Sequence, residues 1–190
     1  MTLQEDILKA CEIMRNGGII LYPTDTVWGI GCDATCSAAV QRIYALKKRS
    51  DSKAMISLVG DAGMLQRLVG NAALRLNDIT SRFNKPVTVI YGEVSGVCPD
   101  LLADNGSCAI RVTSEVYSNG LCTALGHPVV STSANISGEP TPSYFGEISQ
   151  EILKGVDYVA HYRRDDTSPH EPSAVILAGS TDDAIKILRP

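Results

Sequence analysis

Short apolar runs alternate with amphipathic stretches along the whole chain, and in places two such runs follow one another with no helical pattern between them. Gly18–Pro23 (GIILYP) and Val27–Cys32 are separated only by the polar turn Pro23-Thr24-Asp25-Thr26, and Ser173–Leu177 is followed by Ala184–Leu188. Helices intermixed with strands, some of them adjacent, exclude an all-helical bundle and a purely parallel sheet. The reading is an α/β (α+β) domain built on a mixed β-sheet flanked by helices. With 190 residues, 44% of them hydrophobic and 20% charged, the chain is long and apolar enough to bury a core. No repeat, low-complexity tract or change of composition marks a linker, so residues 1–190 are expected to form a single domain.

The local signals place the elements. Thr2-x-x-Glu5 is a capping-box pattern, and Leu3, Ile7, Cys11 and Met14 recur at helical spacing before Gly17-Gly18. A second helix is predicted from Ser37 through Leu46, a strand over Met55–Val59, and strands over Pro86–Val94 and Cys108–Val112. Asp61 and Asn71 are expected to cap two short helices. Ser114–Leu125 reads as a helix closed by Gly126, Pro128–Thr132 as a strand, Tyr144–Leu153 as a helix and Val156–His161 as a strand.

The formal net charge of −4 argues against a grip on nucleic acid or an anionic membrane spread over the whole surface, so a polyanion would need a local basic patch. No apolar run approaches the roughly 18–20 residues of a membrane span, and the acidic N-terminal segment does not suit a signal peptide. A cytoplasmic protein is expected. The six cysteines, at 11, 32, 36, 98, 108 and 122, read as buried thiols. Cys32 and Cys36 lack the two further ligands of a zinc site, and no structural metal is expected.

Four polar clusters fall between apolar elements, where a scaffold presents function. Pro23–Thr26 offers two hydroxyls and a carboxylate, in a composition that also suits an ordinary turn. Lys47, Lys48, Arg49 and Lys53 set four basic groups within seven residues. They suit phosphate, or alternatively a solvated helix end. Ser131–Gly138 (STSANISG) directly follows a strand and could offer hydroxyls, backbone amides and a carboxamide to a nucleotide or an amino acid. Arg111, inside the apolar strand AIRV, needs an anion if it faces inward, either a ligand carboxylate or an internal Asp or Glu. His127 and His170 read as surface groups, and no GxxxxGK[ST], GxGxxG, HExxH or GxSxG motif is present. Chemistry driven by positioning and charge neutralisation fits better than acid–base catalysis by histidine.

Pro23–Gly31 (PTDTVWGIG), Lys47-x-Arg49 and Ser133–Gly138 (SANISG) stand in the order and at the spacing of the YrdC/Sua5/YciO family, and Ile187–Pro190 resembles the end of that family's catalytic domain. The resemblance runs from Gly18 to Pro190 and is to the short form without the C-terminal Sua5 domain. It implies a twisted mixed sheet around a concave basic surface. The implied activity is L-threonylcarbamoyladenylate synthase, which makes threonylcarbamoyl-AMP and pyrophosphate from ATP, bicarbonate or CO2 and L-threonine, for the threonylcarbamoyladenosine modification of tRNA. Mg²⁺ is expected with the ATP. The family pattern places Thr26, Arg111, Ser133 and Ser173 at threonine or its carbamate. It places Lys47, Arg49, Lys53, Ser107, Asn135, Ser143 and Arg189 at ATP, with Lys47, Arg49, Ser133 and Asn135 as a catalytic tetrad. The chain departs from the pattern at Leu58, where archaeal-type members often have a histidine that contacts threonine. A transferase that accepts the adenylate is the implied partner, with tRNA or double-stranded RNA as further partners. The alternatives are a YciO-like paralogue of different or weak activity and an RNA-binding or ribosome-maturation module on the same fold.

Overall fold

The computed structural model describes residues 1–48, 55–178 and 185–190. Helix α1 (Leu3–Arg15) begins where the sequence predicts. Thr2 Oγ1 accepts from the Glu5 amide at 3.2 Å and the Glu5 carboxylate accepts from the Thr2 amide at 2.7 Å. Its apolar stripe, Ile7, Ala10, Cys11 and Met14, is buried, and the helix gives way at Gly17, whose φ of +75° suits a residue without Cβ.

Among the described residues nine strands make one sheet: β1 (Ile20–Tyr22), β2 (Gly29–Gly31), β3 (Ile56–Val59), β4 (Val87–Tyr91), β5 (Cys108–Val112), β6 (Val129–Ser133), β7 (Tyr158–Val159), β8 (Ala174–Ala178) and β9 (Ile185–Arg189). Their order is β7-β1-β2-β6-β3-β5-β4-β8-β9. The pairs β1–β7, β3–β5 and β4–β8 are parallel and the other pairs antiparallel, so the sheet is mixed as expected. β1 pairs antiparallel with β2, its neighbour in the chain, as β8 does with β9, while longer crossovers insert β6 beside β2 and β8 beside β4. The helices are α2 (Ser37–Leu46), α3 (Ala62–Val69), α4 (Leu76–Thr80), α5 (Val116–Leu125) and α6 (Gln150–Gly155). The core runs from α1 through the sheet, with Tyr22, Ile30, Leu58, Val89, Ile110, Tyr117, Val130 and Ile176 buried within it. All six cysteines are free, and five of them are buried.

Two predicted helices differ. Asp61 caps α3 through the Met64 amide, but Asn71 caps nothing: α3 ends at Gly70 (φ +57°), and a tight 3-10 turn over Gly70–Arg75, which buries Ala73, precedes α4. The expected helix over Tyr144–Leu153 is likewise broken. Phe145–Glu147 is a 3-10 turn and Ser149 starts α6 by accepting from Ile152 N. The Phe145 ring lies 4.9 Å from that of Trp28, a contact that holds the turn against the β1–β2 side of the sheet.

Candidate functional site

The turn between β1 and β2 is locked by its own hydroxyls. Thr24 Oγ1 donates to the Val27 carbonyl at 2.8 Å and accepts from the Thr26 amide at 3.0 Å. With its proton committed to Val27, Thr24 takes the Thr26 hydroxyl proton across their 3.0 Å contact, leaving Thr26 Oγ1 as an acceptor. Both threonines are buried. This is more than an ordinary turn, because its acceptors meet a cation from the middle of the sheet.

That cation is Arg111, on β5 and 3% exposed. Its Nη2 donates to Thr26 Oγ1 at 3.2 Å and lies 3.0 Å from Asp25 Oδ1, while Nη1 donates to Thr88 Oγ1 at 3.3 Å. The anion left open by the sequence is therefore an internal one, Asp25. Yet the guanidinium is not satisfied, since its Nε is buried without an acceptor. Thr88 Oγ1 in turn contacts Ser173 Oγ at 2.8 Å, and Arg189, at the end of β9, donates to the Ser173 carbonyl at 2.9 Å. Partial burial and the Arg111 charge beside it push the Arg189 guanidinium below its ordinary pKa. Asp25 pairs with Arg111 alone, and among the described residues no carboxylate pairs with Arg189.

These groups surround a pocket of about 220 Å³. Thr26, Arg111, Ser131, Ser133, Ser173 and Arg189 supply its polar wall, and Val27, Trp28, Met55, Ile56 and Pro172 its apolar one. An excess positive charge, hydroxyls and an orphan buried N–H beside apolar side chains suit a small ligand that carries a carboxylate and a short apolar group. Leu58 is fully buried in the core and is not among the lining residues, so this position contributes no side chain to the wall.

Lys47 occupies an unexpected place. It is the residue after α2, only 3% exposed, and its Nζ donates to the carbonyls of Ser133 at 2.5 Å and Asn135 at 2.6 Å. Its own carbonyl accepts from the Ser137 amide. Lys47 thus shapes the loop after β6 and ties it to α2. Asn135 Nδ2 donates to the Glu139 carbonyl at 2.7 Å, and its Oδ1 is buried without a donor. Lys47→Met removes the donor for two carbonyls, so a loss of about 2–3 kcal/mol is expected. A urea titration checks it, and undiminished stability would mean that Lys47 serves the ligand alone.

The structure brings Thr26, Arg111, Ser133, Ser173 and Arg189 into one pocket, with Lys47 and Asn135 behind its β6 side. Ser107 lies in the turn before β5, where its amide donates to Asn105 Oδ1, and the Ser143 amide donates to the Glu147 carboxylate; neither lines the pocket. Arg49 and Lys53 lie outside the described residues. Sequence reasoning assigned no role to Thr88, although a threonine inside the apolar run PVTVIY is a visible signal, whereas Ser131 belongs to the hydroxyl cluster it singled out. It did not pair Asp25 with Arg111. Among the described residues no group of three or more His, Cys, Asp or Glu is arranged to hold a metal ion, and no helix is long and apolar enough to cross a membrane.

A family model described as telomere recombination (Sua5_yciO_yrdC) matches residues 12–190. The threonylcarbamoyl-AMP synthase of Idiomarina loihiensis is 35% identical over 157 residues, which cover 81% of this chain and 84% of that protein. The crystal structure of E. coli YciO superimposes with a TM-score of 0.79 at 30% identity, covering 98% of this chain and 89% of that one. The P. abyssi Sua5 crystal structure complexed with L-threonine shares the fold, with a TM-score of 0.83 at 24% identity; the match covers 98% of this chain and 54% of the Sua5 chain.

Proposed function

The chain belongs to the Sua5/YciO/YrdC family, and from that premise we propose that it is an L-threonylcarbamoyladenylate synthase, a nucleotidyltransferase that uses ATP, bicarbonate or CO2 and L-threonine. The observation that carries this reading is the buried Arg111 Nε without an acceptor, in a pocket of hydroxyls and short apolar side chains. At about 220 Å³ the pocket is smaller than the roughly 300–1,000 Å³ of sites that enclose drug-sized ligands, a size for an amino acid and not for a nucleotide as well. The threonine carboxylate is assigned to Arg111, its hydroxyl to the Thr26, Ser133 and Ser173 group, and its methyl to the Val27–Trp28–Met55 wall.

The nucleotide is then assigned to the open side, and the family pattern gives Arg49, Lys53, Ser107, Asn135, Ser143 and Arg189 to it. Carbamate formation joins the free amine to CO2 with loss of a proton. A carbamate oxygen then attacks the α-phosphorus, and pyrophosphate leaves with the electron pair of the broken P–O bond. Arg111 and Arg189 offset the negative charge gathered at the seam of pocket and nucleotide, and Lys47 holds the β6 loop in place for both. Mg²⁺ would accompany the triphosphate and supply further charge neutralisation there. A transferase that passes the labile product to tRNA is the proposed partner.

Incubation with ATP, bicarbonate, L-threonine and Mg²⁺ is expected to release pyrophosphate, and omission of threonine to stop it. Folded protein that gives neither pyrophosphate nor adenylate would sink the reading. The resemblance to YciO favours a second one, a paralogue with another preferred amino acid. Faster turnover with serine or another small amino acid would select it.

A further inference from the structure

Residues 163–172, which lead from β7 towards β8 and end at the pocket, are held by an arginine that no part of the proposed reaction requires. Arg163 has φ +61°, a backbone conformation that side-chain-bearing residues seldom adopt. Its side chain is one-fifth exposed and uses every edge of its fork. Nε and Nη2 donate to Asp166 Oδ2 at 3.2 and 2.9 Å, Nη2 also reaches His170 Nε2 at 2.7 Å, and Nη1 donates to the Thr24 carbonyl at 3.1 Å. Glu115, which caps α5 through the Ser118 amide, lies 3.9 Å from Nη1.

His170 Nε2 meets both members of the Arg163–Asp166 pair, Nη2 at 2.7 Å and Oδ2 at 3.3 Å. His170 is thus a structural partner and not the free surface group suggested by its polar surroundings. Its amide donates to the Ser143 carbonyl at 3.2 Å, which fixes the far end of the same segment. The neighbouring Arg164 donates to the carbonyls of Val159 and Ala160 and lies over the Phe145 ring, 5.5 Å from its centroid, without touching the turn between β1 and β2. Arg163 alone reaches 139 residues back to the turn between β1 and β2.

The two segments joined in this way both line one pocket. The turn presents Thr26 and, through Asp25, orients Arg111; the 163–172 segment ends at Pro172 and Ser173. We propose that Arg163 is a positioning residue for the amino acid, clasping residues 163–172 to the Thr24 carbonyl and so setting the spacing between Thr26 and Ser173. The inference rests on the reading that this pocket takes L-threonine. Arginine is required because its donors diverge towards three partners in one plane, which a lysine ammonium cannot reproduce.

The test is steady-state kinetics of Arg163→Gln and Arg163→Lys beside the wild type, varying threonine and ATP separately. Loss of one charge-assisted hydrogen bond to the turn is expected to raise the threonine KM about tenfold, with the ATP KM and the kcat at saturating threonine within about twofold. Arg163→Lys, which keeps the charge and guards against a glutamine variant that fails to fold, is expected to remain closer to Arg163→Gln than to wild type. An unchanged threonine KM, or equal rises for both substrates with a lowered melting temperature, overturns the clasp. If the wild type does not use threonine at all, the functional reading has failed and the clasp is judged by amide NMR shifts. Thr24, Thr26 and Ser173 must then move in Arg163→Gln while α3 stays put, and unmoved resonances at those three positions overturn it.

Discussion

Arg111→Met is expected to raise the threonine concentration needed for half-maximal turnover at least about a hundredfold, because one buried charge-assisted contact to a carboxylate is worth about 3 kcal/mol. The substitution has a second effect, since it leaves Asp25 as a buried carboxylate without its cation. Removing one partner of a buried pair costs about 3–5 kcal/mol, so the melting transition should fall together with activity. The double variant Arg111→Met/Asp25→Asn separates the two effects. Taking away the orphaned charge is expected to recover much of the stability and none of the threonine use. Recovery of both would reduce Arg111 to a structural residue, and kinetics in threonine beside urea titrations decide between these outcomes.

A large effect on folding alone is expected from Gly31→Ala. A Cβ there would sit 2.2 Å from the Val130 carbonyl oxygen and 2.6 Å from the Tyr22 ring, which crosses β2 to donate its hydroxyl to that same carbonyl at 2.9 Å. The backbone conformation is ordinary strand, so the demand for glycine is one of space. Neither neighbour can retreat, because Tyr22 is fully buried and the carbonyl belongs to the adjacent strand β6. Overpacking of this kind should cost at least about 3 kcal/mol, a shift on the order of 1–2 M in the urea midpoint. Gly92→Ala is the control: nothing lies within 4 Å of its Cβ, and a change within about 0.5 kcal/mol is expected.

The sequence was legible where local physics decides. The capping box of α1, the Asp61 cap, the left-handed Gly126 after α5 and the apolar runs of the sheet all follow from spacing and residue type, and the structure holds them. It was less legible where a partner lies far along the chain. A basic cluster after α2 suits phosphate on composition alone, yet Lys47 spends its donors on carbonyls 86 and 88 residues away. Arg111 could be recognised as needing an anion, whereas the choice of Asp25 depends on which turn the fold brings across the face of β5. Asn71 and the 144–153 segment carried valid helix signals that tertiary contacts overrode, through the burial of Ala73 and the Phe145–Trp28 contact. Arg163 and His170 stand in a stretch whose polarity predicts only a loop, and nothing in its composition points to Thr24.

The strand order has a consequence in time. Thr26, Arg111, Ser133, Ser173 and Arg189 come from the first two strands, the middle of the sheet and its last two strands, so the pocket exists only when pairings across most of the chain have formed. Such non-local pairings form late and fold slowly. An amino acid bound there would recognise the finished protein and none of its precursors. It would therefore lengthen the lifetime of the native state and leave the rate of reaching it unchanged.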